Sequence, residues 1–482
     1  MPSTDSRRFD PHSTSPVRVL AEQAFSRAAG APLVGGNSVR VLKDAAENYP
    51  AWLAAIASAR RTIFFENYII ADDSAGRRFI AALAERARAG VRVCLIRDWM
   101  GSLTSRARFW QPLLDAGAEV RCFNPPRFFS PFGWLQRDHR KMMTVDGRVG
   151  YVSGLCVSAR WEGDAARGVA PWRDTGLEII GPAVADIEEA FAQVWATAGA
   201  PLAASELVDA ASIANAGTVT LRVLASQPNI AGLYRLDQLI ASMATQTLWL
   251  TDAYFVGIAP YVQALRAAAL DGVDVRLLVP GASDLPAIST FSRSGYRVLL
   301  DAGVRVFEWN GPMLHAKTAV ADGRWARVGS SNLNIASWMG NYELDIAIED
   351  HNVAATMAEI YETDLQSATE IVLSDTNRVR PAARVARPRG RLRGSASRAA
   401  AGALRIGNTV GAAMTNRRVL GPAEAGIMAI TALIIIALIV VALLWPLAVV
   451  IPLALLGGWV ALSLIVRAVT LKRGGGGDVD NG

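Results

Sequence analysis

From about Val39 to Ala200, short apolar runs alternate with stretches in which apolar residues recur every three to four positions. Strands and amphipathic helices in alternation are the signature of an α/β layered domain. Thr62 to Tyr68 reads as a buried strand. Gly76 to Ala89 places Phe79, Ile80, Leu83 and Ala87 at helical spacing and stops at Gly90. Val91 to Ile96 and Val120 to Phe123 predict two more strands, with a helix from about Ser105 to Ala116 between them. Extended segments follow at His139 to Lys141, Gly150 to Gly154 and Leu177 to Ile180. A helix from Pro182 to about Ala198 closes the run, since proline suits the first helical turn.

After a small-residue stretch, 201–217, the same order begins again. Thr247 to Tyr254 matches Thr62 to Tyr68 with one inserted residue, and Gly272-Val273 matches Gly90-Val91. Leu299-Leu300-Asp301-Ala302-Gly303 matches Leu113-Leu114-Asp115-Ala116-Gly117. A duplication of roughly 150 residues per copy suits two similar domains and is too long for a solenoid unit. The expected organisation is therefore a first domain over 39–200, a linker over 201–217 and a second domain over 218–370. Residues 1–38, rich in Ser, Pro, Arg and Ala, read as a mobile arm with no apolar leader. The copies are offset by 186 at Leu113 and Leu299 but by 176 at His139 and His315, so the first carries about ten extra residues. These form an aromatic, proline-punctuated loop over 125–135. Two readings of it stand: a loop dipping into a membrane interface, or packing for a lid or domain seam.

The C-terminal part changes character. Asn377 to Arg418 holds eleven arginines and no acid, so it reads as a basic arm within 371–425. Gly426 to Val466 then contains no charged residue over 41 positions. As one helix it would run roughly 60 Å, about twice the hydrocarbon thickness, which suits two membrane spans. The break falls near Trp445-Pro446, and Arg417, Arg418, Arg467, Lys472 and Arg473 flank the run, as expected of a hairpin with both ends cytoplasmic. A Gly-rich tail, 467–482, follows. Mean hydropathy of +0.24 and 51% apolar residues agree with membrane-embedded sequence. The arm at 378–418 then has an anionic membrane surface, rather than nucleic acid, as its expected partner. Three cysteines without a C-x-x-C pair speak against a disulfide framework or a zinc site.

Two of the four histidines occupy the same position of one eight-residue pattern, His139-Arg-Lys141-x4-Asp146 and His315-Ala-Lys317-x4-Asp322. Histidine and lysine two apart share one face of an extended strand, which puts an imidazole beside a cation. Chemistry on a phosphate ester needs that pair. One imidazole would attack phosphorus to form a phosphohistidine while the other protonates the leaving alkoxide and then activates the acceptor. Lys141 and Lys317 would neutralise the phosphate oxygens, with no metal or other cofactor required. Ser153, Gly154, Gly329 and Ser330 leave room for donors to approach, and Asn332 adds an amide. Each imidazole needs an orienting carboxylate; the candidates are Asp174 and Glu343. Asp146 and Asp322, grouped with the catalytic pattern, are expected to support the following turns at Gly147 and Gly323.

These residues resemble the phospholipase D superfamily, whose H-x-K-x4-D-x6-G-S/G-x-N motif is matched by His315, Lys317, Asp322, Gly329, Ser330 and Asn332. Within it the chain is similar to bacterial cardiolipin synthases over about Val39 to Gln366, through Glu66-Asn-Tyr68, Trp172-Arg-Asp174-Thr, Ala253-Tyr-Phe-Val256 and Met313-Leu-His315. The resemblance implies two α-β-α sandwich domains sharing one active site at their interface, and metal-independent phosphatidyl transfer. It also implies a phospholipid substrate such as phosphatidylglycerol; together with the charge-free hairpin, the expectation is a multi-pass protein of the bacterial inner membrane with cytoplasmic catalytic domains. Three departures stand out, the first being that the membrane segment sits at the C-terminus rather than at the N-terminus as in the best-known synthases. Cys156 occupies the place of the family's asparagine in the first copy, and Asn334-Ile-Ala336 replaces the usual Asp-x-Arg in the second. Hydrolysis to phosphatidic acid, a nuclease and an inactive membrane scaffold are the alternatives.

Overall fold

The computed structural model describes residues 16–126, 135–284, 286–373, 379–381 and parts of 432–474. The chain opens with α1 (Pro16–Ala29), β1 (Val34–Lys43) and α2 (Asp44–Ser58). A βαβαβ run follows: β2 (Thr62–Asn67), α3 (Ser74–Arg88), β3 (Arg92–Asp98), α4 (Ala107–Asp115) and β4 (Glu119–Phe123). β5 (Lys141–Val145) and β6 (Val149–Ser153) form a hairpin, followed by the short α5 (Ala159–Glu162), β7 (Thr175–Ile180) and α6 (Ala183–Thr197). The second half repeats the order from β8 (Val219–Ser226) through α7 (Gly232–Met243), β9 (Thr247–Thr251), α8 (Ala259–Leu270) and β10 (Asp274–Pro280). It continues with α9 (Pro286–Leu300), β11 (Arg305–Trp309), β12 (Thr318–Ala321), β13 (Trp325–Gly329), β14 (Glu343–Glu349) and α10 (His351–Gln366). β15 (Ala368–Leu373) and β16 (Val379–Pro381) extend its edge, and α11 (Pro446–Gly474) lies near the C-terminus.

Local chemistry sets these boundaries. Asp73 caps α3 by accepting from the Gly76 amide at 3.0 Å, and Asp350 caps α10 through Asn352 and Val353. Gly90 and Gly272 end α3 and α8 with φ of +88° and +92°, a left-handed turn that a β-carbon would strain although space is open there.

The first half orders its strands β4-β3-β2-β5-β6-β7-β1, and the second mirrors this as β8-β14-β13-β12-β9-β10-β11. β1 and β8 pair antiparallel, with Val34 opposite Leu221 and Asn37 opposite Val219, so the sheet runs unbroken through sixteen strands. Two separate sandwiches would each leave that strand as an open edge. Joining them satisfies both rows of backbone groups at once. The expected pair of sandwiches is thus realised as one mixed α/β sheet. A single apolar cluster also spans both halves. It packs Phe191 and Trp195 of α6 and Met357 of α10 with Phe64, Ile96, Val328 and Ile346, and Phe64 stacks on Phe191 at 5.0 Å.

The N-terminal segment differs from the mobile arm expected over 1–38. From residue 16 on it holds α1 and the start of β1. Ala29 and Ala31 are buried with Leu233 and Leu236 of α7, and the Ala28 carbonyl accepts from Arg235 at 3.1 Å. Its few apolar residues cover one groove, a pairing that has no periodic signature. The small-residue stretch 201–217 is held against the first half, where Glu206 pairs with Arg92 at 3.1 Å and the Val208 amide donates to Glu188 at 2.9 Å.

Most of the aromatic loop 125–135, the basic arm 378–418 apart from Val379–Pro381 of β16, and residues 426–431 of the charge-free run lie outside the described residues. α11 exposes Leu447, Ile451, Leu455 and Leu464. Among the described residues no helix is long and apolar enough to cross a membrane.

Candidate active site

The register of the sheet places each lysine at one end of a parallel strand group. Lys141 opens β5 opposite Asn67, the last residue of β2. Lys317 directly precedes β12, whose Thr318 faces Thr251 at the end of β9. Sites in parallel sheets form at these carboxyl ends, where loops converge. Each histidine sits in an extended lead-in rather than in the strand itself, because its backbone pairs with the opposite half of the chain. The His139 amide donates to the Tyr342 carbonyl at 2.9 Å, and the His315 amide to that of Arg173 at 2.7 Å. Asp138 bridges Tyr342 and Arg173 bridges Leu314, both in parallel.

Those bridges cross the histidines with the carboxylates that follow their partners. His139 Nδ1 lies 2.9 Å from Glu343 Oε2, and His315 Nδ1 lies 2.8 Å from Asp174 Oδ2. Each half therefore orients the other half's imidazole. With Nδ1–H donating to a carboxylate, Nε2 keeps its lone pair as nucleophile or base.

The two pairs have different surroundings. Around His315 the rings of Trp161 and Trp172 have centroids 5.1 and 5.9 Å away, and Trp161 Nε1 donates to Asp174 at 2.8 Å. Lys317 Nζ approaches Nδ1 at 2.9 Å and donates to the His315 carbonyl. An ammonium only donates, so its nearness to a protonated ring nitrogen is repulsive crowding. Burial, reinforced by Lys317, pushes the His315 imidazole down to about 3. Burial also pulls Lys317 down to about 8, with Asp174 opposing and Lys141 adding to the fall. Around His139, Tyr68 packs edge-on at 4.8 Å and Glu343 is held by Ser330 Oγ at 2.6 Å and Asn341 at 3.1 Å. Burial lowers His139 as well, against the pull of Glu343. Burial would raise both carboxyls, but the imidazole that each holds brings Asp174 and Glu343 below their ordinary values. The resting site thus contains two neutral imidazoles and two buried carboxylates beside two buried lysines.

The small residues of the motif pack against buried carboxylates, Gly154 and Ser330 against the pair that holds the imidazoles. A β-carbon on Gly154 would lie 2.2 Å from Asp174 Oδ1, and one on Gly329 would lie 2.3 Å from Asp345 Oδ1. Ser330 Oγ is committed to Glu343 and to the Leu344 amide, while Ser153 Oγ accepts from the Leu155 amide. Asn332 is buried with its Oδ1 unpaired, and Cys156 is buried at the matching place in the first half. Asp146 and Asp322 lie elsewhere, at the turns beyond β5 and β12, with φ of 56° and 49°. Four intervening residues of strand, at about 3.3 Å each, separate them from the lysines. Asp146 accepts from the Arg60, Arg61 and Thr62 amides, and Asp322 from those of Thr245, Gln246 and Thr247. Both clamp the segment entering the central strand.

Several neighbours carried no advance signal as site residues. Arg140 is fully buried and donates across the halves to the Glu343 and Ser226 carbonyls at 3.1 Å each. Arg173 pairs with Asp364 at 2.9 Å and Asp44 at 3.1 Å. Glu66, Asp98 and Asp138 form a buried acidic group near His139; burial raises all three, Asp98 to about 7 and Asp138 to about 6. The repeat itself could have flagged Tyr68 and Tyr254, which share the 186-residue offset and flank the two histidines.

The family model described as "Cardiolipin synthase, PLD-like domain" matches residues 52–195 and 236–365, and each match contains one histidine–lysine pair. The chain belongs to the cardiolipin synthase family of phospholipase D-like proteins. Within the phospholipase D superfamily it is a phosphatidyltransferase of this family's type. It is 33% identical over 365 residues to cardiolipin synthase A of Pseudomonas aeruginosa strain LESB58, covering 74% of this chain and 73% of that one. Cardiolipin synthase A of Pseudomonas putida strain GB-1 is 32% identical over 361 residues, 74% of each chain. The crystal structure of a phosphatidylserine synthase from Haemophilus influenzae Rd KW20 matches with a TM-score of 0.56 at 15% identity, over 72% of this chain and 91% of that one. That likeness establishes the fold shared by this cardiolipin synthase-like chain.

Proposed function

We propose that this phosphatidyltransferase makes cardiolipin, taking a phosphatidyl group from phosphatidylglycerol or another phospholipid through a phosphohistidine. The observation that carries the proposal is the crossed pair of histidine–carboxylate contacts around two buried lysines. In the first step Nε2 of one neutral imidazole bonds to phosphorus as the P–O bond to the leaving glycerol breaks. The other imidazole must supply a proton to that oxygen. Both imidazoles are held neutral at rest, so the acid gains its proton when the anionic phosphodiester arrives and offsets the lysine charge. In the second step that same imidazole takes the proton from the acceptor hydroxyl, which attacks phosphorus and frees the nucleophilic histidine. Lys141 and Lys317 stabilise the charge building on the non-bridging oxygens. Asn332 is a further donor toward phosphate, while the carboxylates, with Ser330 against Glu343 and Gly154 against Asp174, hold the imidazoles.

The charge-free run at 426–466 and the arginine arm support a place at the cytoplasmic face of a bacterial membrane, with two spans and the arm on anionic lipid. Purified full-length protein in mixed micelles with labelled phosphatidylglycerol is expected to yield cardiolipin and glycerol. Phosphatidic acid as the sole product would replace transfer by hydrolysis. Wild-type turnover in His139→Ala and His315→Ala would sink the mechanism, because each is expected to lose at least about 10³-fold.

A further inference from the structure

We propose that the loops around the active-site mouth form a docking rim for an anionic bilayer, with Leu103, Val169 and Ile230 entering the headgroup boundary and Arg106, Arg108 and Arg167 meeting lipid phosphates. The inference rests on the lipid-substrate reading above but concerns how the body meets the bilayer. These apolar side chains are 59%, 52% and 50% exposed, on three separate loops. Single exposed apolar residues are ordinary; three on loops that converge on one site are a surface.

Each loop is tied to the site. Leu103 follows β3 in the segment where Gly101 packs on the Tyr68 carbonyl so tightly that a β-carbon would lie 1.9 Å from it, and Tyr68 flanks His139. Val169 lies three residues before Trp172, which flanks His315. Ile230 follows β8 at Ser226, whose carbonyl accepts from Arg140, and the neighbouring Asn229 amide donates to Met339 at 3.0 Å. All three loops leave the sheet at the strand ends that carry the histidines.

Charge points the same way. Arg106, Arg108 and Arg167 are exposed and make no ion pair among the described residues. The acids near them are already occupied: Asp72 pairs with Arg77 at 2.9 Å, Glu162 with Arg78 at 2.5 Å, and Asp164 accepts from the Arg167 amide at 3.2 Å. Beside Arg108 a cleft of about 330 Å³ opens between α3 and α4, walled by Ile80, Phe109 and Pro112. Apolar residues flanked by unpaired arginines are the composition of an interfacial surface for anionic lipid. The opposite strand end exposes Leu114 and Leu270 too, but beside Asp115 and Asp271. It serves as the control.

The test uses full-length protein in vesicles of phosphatidylglycerol mixed with phosphatidylcholine, in a Cys122→Ser background because Cys94 and Cys156 are buried. A fluorophore on Leu103→Cys or Ile230→Cys is expected to be quenched by lipids brominated on the acyl chain, and one on Leu114→Cys or Leu270→Cys to stay bright. Equal quenching at both ends, or none at Leu103, overturns the proposal. A triple variant, Leu103→Ser with Val169→Ser and Ile230→Ser, is expected to lose about tenfold in turnover of vesicle phosphatidylglycerol. Its turnover of a monomerically dissolved short-chain phosphatidylglycerol should be unchanged; an equal loss on both substrates also overturns the docking role. If wild type turns over neither lipid, the transferase reading fails while the quenching result still decides the docking surface.

Discussion

The two histidine environments share a scaffold but not a chemistry. His315 sits against two tryptophans with a lysine 2.9 Å from its Nδ1, and its side chain is 6% exposed. His139 sits beside one tyrosine and is 12% exposed, and its carboxylate is tied by a serine and an asparagine. Burial lowers both imidazoles, and at His315, where Lys317 is the next cause, the value falls to about 3. A duplicated fold thus supplies two-fold placement, while the substitutions around each copy give the two imidazoles different neighbours. Two carboxyl-held imidazoles in unlike surroundings are what a reaction with two distinct proton roles requires.

The most damaging way to probe that comparison is to remove one carboxylate at a time. Asp174→Asn and Glu343→Gln keep the shape but offer an amide where the imidazole needs an acceptor of its Nδ1 proton. Losses of about 10²–10⁴-fold in kcat/KM are expected for each. Asp174→Asn should be the worse, since Asp174 also offsets the Lys317 charge that crowds His315. Because the pairs are crossed, Asp174→Asn added to His315→Ala should cost little more than His315→Ala alone. Additive losses would show that the carboxylate acts elsewhere.

Next in size come the small residues beneath the carboxylates. Gly154 and Ser330 are equivalent positions at the 176-residue offset, yet they are not exchangeable. Gly154→Ser drives a β-carbon into Asp174, and a loss of about 10²-fold is expected, close to that of Asp174→Asn. Ser330→Ala removes one of the hydrogen bonds holding Glu343, worth about tenfold in kcat/KM. Similar losses in the two variants would mean that the halves tolerate each other's packing.

How much of this was legible in the chain depends on which interactions are local. The α/β alternation, the repeat and the catalytic pattern were readable because strands, helices and the H-x-K spacing repeat over short distances. Asp174 and Glu343 stood out as acids just downstream of each motif. Their crossing was hidden, since the bridges between Asp138 and Tyr342 and between Arg173 and Leu314 join residues far apart in sequence. Arg140 was hidden for the same reason, as its partners are carbonyls that any residue could provide. The continuous sheet depends on β1 meeting β8, and strand pairing across a duplication leaves no mark on either strand's pattern.

Lysine titration offers a finer test with two readouts. Lys317 holds its proton up to about pH 8, against an ordinary 10.5. Activity that needs the ammonium should fall as pH rises through about 8. Stability should move the other way. Between about 8 and 10.5 the unfolded chain binds more protons at this residue than the folded one, so the contribution of Lys317 to unfolding free energy rises with pH. Lys317→Met should remove that rise in stability, measured by denaturant titration at matched pH, besides abolishing most turnover. A kcat/KM profile that stays flat from pH 7 to 10.5 would assign the neutralising role to Lys141.

The smallest expected effect bears on the position where the halves differ most in composition. Cys156 stands where the second half has Asn332, and burial raises its thiol, so it offers no thiolate to the site. Cysteine and asparagine are close in volume, and Cys156 lies buried between Leu155 and Val157. Cys156→Asn should therefore fold and change kcat/KM by less than about threefold, because its amide joins a site that already has one donor at Asn332. The reverse change, Asn332→Cys, removes that donor and should cost about tenfold or more. The contrast between the two is the readout. If both cost little, neither position touches phosphate. A large gain in Cys156→Asn would mean that the first half, not the second, limits transfer.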